Sequence, residues 1–142
     1  MTGPSPDSLE VGKYWEAYKK EVQYCVNYSE KVNIALSGGI DSRIVLGAIP
    51  AEKELNCYTY GESGNYETKI AAKLCSLKKG SFHVCSNPEL YFPDPKTFRR
   101  KVVETEGVEL CSWLEITESV DSKREEPLLL GELCEAFLSA EH

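Results

Sequence analysis

The sequence predicts a doubly wound α/β domain, a parallel sheet with helices on both faces. Three observations predict it. Short apolar runs alternate with segments of helical period along the chain. Most of these runs are continuous rather than alternating, which marks strands buried on both faces, as in a parallel sheet. A glycine-rich turn joins the first run directly to a helical segment, and strand–turn–helix is the repeating unit of α/β folds.

The elements follow in order. Residues 1–7 read as a disordered lead, and residues 8–142 as one domain. In residues 8–27 the apolar positions Leu9, Trp15, Tyr18, Val22, Cys25 and Val26 fall close to a helical period, with Ser8 as N-cap. Residues 31–36 are the first strand. The helix after the turn ends near Pro50, because the residue before a proline is pushed out of helical geometry. Residues 55–60 form a second strand, closed by Gly61. Residues 64–79 read as a helix with Ile70, Leu74 and Leu77 as its stripe and Gly80 as its C-cap. A third strand covers residues 81–85. Residues 87–95 hold three prolines and form a loop. A helix follows over residues 96–106, with Phe98 and Val102 inward, until Gly107 breaks it. A second helical piece covers residues 110–120. Residues 121–126 are a charged, solvated linker. Residues 127–130 are a short buried strand, and residues 132–138 a last helix.

The totals exclude several classes. The chain has 142 residues, 42% of them hydrophobic, and no apolar run long enough to span a membrane. The N-terminus lacks the basic start and apolar stretch of a signal peptide, so a cytoplasmic location is expected. A net charge of −7 argues against charge-driven nucleic-acid binding. Six cysteines occur without a C-x-x-C pair, beside only two histidines, which argues against a zinc or iron–sulfur site. Cys57, Cys75 and Cys85 sit in apolar segments and read as small hydrophobes. All six are expected reduced.

The chemistry concentrates in Ser37-Gly38-Gly39-Ile40-Asp41-Ser42. Two glycines let a backbone approach a ligand where a Cβ would stand in the way. The first N–H groups of the next helix have no intrahelical partner, and the helix dipole favours an anion there. Ser37 and Ser42 add hydroxyls. Asp41 repels a phosphate unless a cation lies between them. The segment therefore reads as a phosphate cradle with a Mg²⁺-holding carboxylate. The bland alternative is a turn whose glycines serve packing alone. The P-loop of kinases and GTPases is excluded, since its glycine spacing and its Lys-Ser/Thr pair are missing. In a doubly wound sheet, ligands sit at the carboxyl ends of strands where strand order reverses. The loops after Leu36, Tyr60, Cys85 and Leu130 would share that rim.

SGGxDS resembles the pyrophosphate loop of the ATP pyrophosphatase superfamily. Leu36 to Arg43 is similar to the LSGGxDSR form of asparagine synthetase and its relatives in natural-product clusters. Tyr58-Thr59-Tyr60-Gly61, then Glu67, Ala71, Gly80 and His83, then Glu106-Gly107, follow that family's order. Leu130-Gly131-Glu132-Leu133-Cys134-Glu135-Ala136-Phe137 stands where the family has SGEGxDExF. Together these segments cover roughly residues 10–138.

The resemblance implies an adenine nucleotide alpha hydrolase-like fold and an ATP-dependent amide-forming ligase. A carboxylate substrate would be activated as an acyl-adenylate, with release of pyrophosphate. By the same resemblance ATP is held by Ala35, Ser37, Gly38, Gly39, Asp41, Ser42, Tyr60, Leu130 and Gly131. Mg²⁺ falls to Asp41 and Glu135, and Glu132 is the general base or charge partner. Two departures stand out. Glu135 is one methylene longer than the family's aspartate, and the second acidic position is Ala136. The family's synthetase region also continues further, and a glutaminase domain accompanies it. A truncated remnant, a non-catalytic nucleotide-binding subunit, or a chain completed by a glutaminase or other partner subunit is therefore an alternative. A tRNA- or nucleotide-modifying relative of the same superfamily is another. A homo-oligomer is expected, covering the surface where further helices would dock.

Single residues keep simpler readings beside these. Asp41 would also be stabilised as a plain first-turn residue. Arg43 meets a phosphate or only solvent. His83 reads as structural rather than catalytic. Glu132 could be a capping carboxylate.

Overall fold

The structure is a computed structural model that describes residues 8–86, 94–104, 120 and 126–131. Its elements are α1 (Ser8–Val26), β1 (Lys31–Ala35), α2 (Ile40–Ala48), β2 (Glu54–Tyr60), α3 (Tyr66–Leu77), β3 (Ser81–Cys85), α4 (Pro95–Glu104) and β4 (Leu128–Leu129). The strands form one parallel sheet in the order β3-β2-β1-β4. The chain builds outward from β1 through β2 to β3, then returns to pair β4 on the free side of β1. This is a doubly wound α/β fold, as the alternation of elements predicts.

One face of the sheet carries the main core. Val32, Ile34, Leu36, Leu55 and Cys57 pack there with Val22 and Val26 of α1, Val45, Leu46 and Ala48 of α2, and Ala71 and Cys75 of α3. Full burial of each large aliphatic side chain contributes about 1.5–3 kcal/mol. The opposite face carries Ala35 and Cys85, packed by Tyr58, Tyr60, Leu128 and Val120. In chain order α4 stands between β3 and β4. Asp94 caps α4, accepting from the backbone N–H groups of Lys96 and Thr97 and from the Thr97 hydroxyl. These bonds, the Thr97 hydroxyl first, hold the Asp94 carboxyl below its ordinary range.

β1 is not purely apolar. Asn33 is buried on the second face. It accepts from the Asn56 side chain at 3.2 Å and donates to Glu126 at 3.3 Å. A buried amide is tolerated when it is bonded in this way. His83 stacks on Tyr58, its register neighbour, with ring centroids 4.8 Å apart. His83 is otherwise exposed.

Several local expectations are corrected. Leu77 is 73% exposed, and the buried stripe of α3 is Thr68, Ala71 and Cys75, with Leu74 half-buried against the core. Leu77 stands two positions past Cys75, about 200° further round the helix. Cys25 is exposed on α1, whereas Trp15, Tyr18, Val22 and Val26 face the core. Phe98 is 43% exposed while Val102 is half-buried. The expected lead over residues 1–7, most of the loop (87–93), the helix end and Gly107 break (105–107), the helical piece over 110–119, the charged linker (121–125) and the last helix (132–138) lie outside the described residues.

Cys57 and Cys75 are buried free thiols. Burial pushes the Cys57 thiol far above its ordinary range, and the neighbouring Cys75 adds to the rise. A thiol held neutral in this way is a small hydrophobe rather than a nucleophile.

The end of α3 also differs from expectation. The left-handed residue is Lys79, at φ 57°, and not Gly80. Gly80 donates its N–H to the Cys75 carbonyl at 3.1 Å. It is glycine for space: a Cβ there would lie 3.0 Å from the Cys75 Sγ and 3.1 Å from the Leu55 carbonyl oxygen. The two neighbours should therefore respond with opposite signs in urea denaturation. Lys79→Gly is expected to stabilise by about 1 kcal/mol by relieving the left-handed backbone. Gly80→Ala is expected to cost about 1–3 kcal/mol by overpacking. Shifts of the same sign would refute this account.

Candidate functional site

β1 is the strand at which the winding reverses, with β2 on one side and β4 on the other. Its carboxyl end runs straight into residues 36–39, and α2 starts at Ile40. The glycine-rich loop therefore sits at the topological switch point, where open α/β sheets bind ligands.

The loop is held from within by Ser42. Its side chain is buried, and its Oγ accepts from the Ser37 N–H at 3.2 Å. The same Oγ lies 3.1 Å from the Ser37 Oγ and 3.3 Å from the Ser37 carbonyl. The Ser37 Oγ in turn accepts from the Gly39 N–H at 3.1 Å. The Arg43 guanidinium donates to the Gly38 carbonyl at 2.6 Å. Arg43 thus braces the loop carbonyl, a role neither of its sequence readings contained. Ser37 and Ser42 shape the turn as much as they line it.

The helix start carries no side-chain cap: Gly39 is the N-cap of α2. Its φ of −75° and ψ of 166° are extended values that any residue adopts. A Cβ on Gly39 would meet only the Ser37 Oγ, at 3.1 Å, and one on Gly38 would make ordinary 3.6 Å contacts with Glu67 and Ile70. Neither glycine has a positive φ. The backbone conformation therefore does not force glycine at either position. By contrast α3 is closed: the Asn65 side chain accepts from the Thr68 N–H at 2.8 Å. The Gly64 N–H is bound by the Thr68 hydroxyl at 3.1 Å. Two neighbouring α/β turns thus differ in one respect. The N-cap side chain of α3 accepts from the first turn, whereas in α2 only the N-cap N–H of Gly39 has a side-chain acceptor, Ser37.

β4 brings a second segment to the loop. Gly131 is buried against the first turn of α2. A Cβ there would stand 2.7 Å from the Ser42 backbone N and 2.9 Å from its Cα. Gly131 is therefore glycine because two backbones meet. Leu130, just before it, is 42% exposed.

The structure brings the predicted residues together unevenly. Ser37, Gly38, Gly39, Asp41 and Ser42 form the loop and helix start, and Gly131 lies on them. Ala35 ends β1 with its side chain fully buried on the second face. Tyr60 ends β2 and packs beside Ala35 and Cys85. The Gly61 N–H continues the ladder to the Cys85 carbonyl at 3.1 Å, and Gly61 turns away at φ 123°. Glu132 and Glu135 lie outside the described residues. Glu67 was noted in the sequence but not placed at the site, yet its Cα faces Gly38. Asn65 and Thr68 were missed. Their signal was the Asn-x-x-Thr spacing ahead of a helical period.

No protein-family model and no curated protein matches the chain. Among the described residues no three metal-ligating side chains cluster. Asp41 alone fits Mg²⁺ only in the manner of a site where phosphate oxygens and water complete the shell, since Mg²⁺ needs one or two protein carboxylates.

Two substitutions test the frame of the site by urea denaturation. Gly131→Ala is expected to cost about 1–3 kcal/mol, because backbone atoms of α2 stand where the methyl would go. Ser42→Ala is expected to cost about 1–3 kcal/mol by stranding the Ser37 N–H. A cost below about 0.5 kcal/mol in both, the range of a neutral surface change, would mean that this packing does not hold the loop.

Proposed function

We propose that the chain is an ATP-dependent amide-forming ligase of the asparagine synthetase type. ATP and a small carboxylate are its substrates. The observation that carries the reading is the uncapped start of α2 at the switch point. First-turn N–H groups without a side-chain acceptor, under a helix dipole, suit a phosphate chain. Gly39, a glycine that the backbone conformation does not demand, keeps this helix start free of a side chain, while Gly38 packs on Glu67 and Ile70 of α3. Asp41 opens the helix and would hold Mg²⁺ between itself and the phosphates, neutralising their charge. Activation at such a site consists mainly of positioning and charge neutralisation.

The remaining roles rest on the resemblance. Ala35 and Tyr60 would frame the adenine with backbone groups, and Leu130 and Gly131 would flank the phosphates. Glu135 would complete the Mg²⁺ shell and Glu132 would serve as base. A cytoplasmic setting suits the reading, since it supplies ATP and keeps thiols such as exposed Cys25 reduced. No described helix is long and apolar enough to cross a membrane. Ala136, in place of the family's last carboxylate, favours a second reading: a nucleotide-binding subunit without turnover.

Calorimetric titration with Mg·ATP tests the proposal. The wild-type chain should bind saturably. Asp41→Ala should weaken binding at least tenfold, and Gly39→Ala should do the same while changing stability by less than about 1 kcal/mol. Absence of binding to the wild type would overturn the nucleotide reading. Pyrophosphate release in the presence of carboxylate substrates would separate the ligase from the binding subunit.

A further inference from the structure

Arg43 carries a charge that no carboxylate answers. Its guanidinium donates to the Gly38 carbonyl at 2.6 Å, and it forms no ion pair among the described residues, where the pairs are Lys19–Glu16 and Lys31–Glu54. The side chain is exposed and lies against the glycine-rich loop. A neutral carbonyl is a weaker partner for a guanidinium than a carboxylate or a phosphate, which it grips in a planar fork. The Gly38 oxygen thus stands in front of Arg43 where a phosphate oxygen would be the stronger acceptor.

That carbonyl belongs to a peptide held at both ends. The Gly38 carbonyl accepts from Arg43, and the Gly39 N–H donates to the Ser37 Oγ at 3.1 Å. The residues on either side of the peptide are both glycines. Neither has a positive φ, so this backbone conformation does not by itself call for the pair. A half-turn of the peptide does call for it. Such a turn rotates ψ of Gly38 and φ of Gly39 and leaves the neighbouring backbone in place. The φ of Gly39 would pass from −75° to about 105°, with ψ still at 166°. That region is essentially closed to every residue but glycine. Turned over, the peptide directs the Gly39 N–H toward Arg43 and the Gly38 carbonyl toward Ser37. The Ser37 hydroxyl, an acceptor in this conformation, can donate to it. Gly39 is the N-cap, so neither the Gly38 carbonyl nor the Gly39 N–H belongs to the hydrogen-bond ladder of α2, and the turn breaks no helical bond.

We infer that the Gly38–Gly39 peptide is a two-state element of the loop, held in this conformation by Arg43 and turned over when a phosphate group takes the guanidinium. The inference rests on the nucleotide reading of this site. Arg43 is a positioning residue: it exchanges a carbonyl oxygen for a phosphate oxygen. The same exchange adds the Gly39 N–H to the first-turn N–H groups of α2, which then face the phosphate together. The loop presents an acceptor beside Arg43 in one state and a donor in the other, so the phosphate itself selects the binding form.

NMR spectroscopy of the full chain tests this through the couplings between the N–H and Hα protons of Gly39, which report its φ. Without nucleotide they should correspond to φ near −75°, and saturating Mg·ATP should shift them to values of a positive φ. Calorimetry gives a second readout. Arg43→Ala should weaken Mg·ATP binding about fivefold or more in the wild-type loop, but less than about twofold in a Gly39→Ala background, where the peptide cannot turn. Unchanged circular dichroism in each variant separates loss of binding from loss of fold. Binding that leaves the Gly39 couplings unchanged would overturn the inference and leave the nucleotide reading standing. Additive effects of the two substitutions would do the same. Absence of Mg·ATP binding to the wild type would overturn both.

Discussion

The rest of the structure depends on the central position of β1. It is hydrogen-bonded to β2 along its length and to β4 on its other side, and it is buried from Val32 to Ala35. Its alternating side chains serve two different layers. Val32 and Ile34 anchor the face covered by α1, α2 and α3, while Ala35 packs the opposite face. Once β1 is fixed, the loop that leaves its carboxyl end has one place to go. That place is the point where the winding reverses.

The polar group within this strand is part of the same arrangement. Asn33 is buried, yet its amide is bonded on both sides, to Asn56 of β2 and to Glu126 just before β4. The Asn33 N–H also reaches the Pro127 carbonyl at 2.9 Å. A buried amide left unpaired costs more than its bonds contribute. The network therefore penalises any register in which β4 slides along β1. Register matters here because Gly131 must arrive opposite Ser42. A shift of one residue would put Leu130 against the backbone of α2 and turn every side chain of β4 to the other face.

Much of this was legible in the chain. Strand-like runs around Val32–Leu36 and Leu55–Tyr60 are dense in apolar and β-branched residues, and helix and strand periods differ enough to separate the elements. The turn at Gly38-Gly39 was legible because two adjacent glycines between an apolar strand and a helical period have few other uses. What was not legible was which face each helix buries at its ends. Leu77 carries the same hydropathy as Leu74, but the close seat of Ala71 and Cys75 on β2 and β3 rotates Leu77 into solvent. Lys79 and Gly80 were likewise exchanged in role. A glycine after a helix suggests a left-handed cap, and only the nearness of the Leu55 carbonyl shows that this glycine supplies space instead.

The sequence by itself determined the α/β class, the order of the described elements and the loop that ends the first strand, because these follow from local hydropathy and local turn chemistry. It also fixed Asp41 at the start of a helix. Tertiary structure alone decided that β4 pairs with β1 rather than with β3, since pairing depends on crossover handedness and on partners nearly a hundred residues apart. It decided that Gly131 packs on Ser42 and that Arg43 braces Gly38. It decided that α2 begins without a side-chain cap while α3 begins with one, a difference set by where side-chain oxygens fall relative to backbone N–H groups in space.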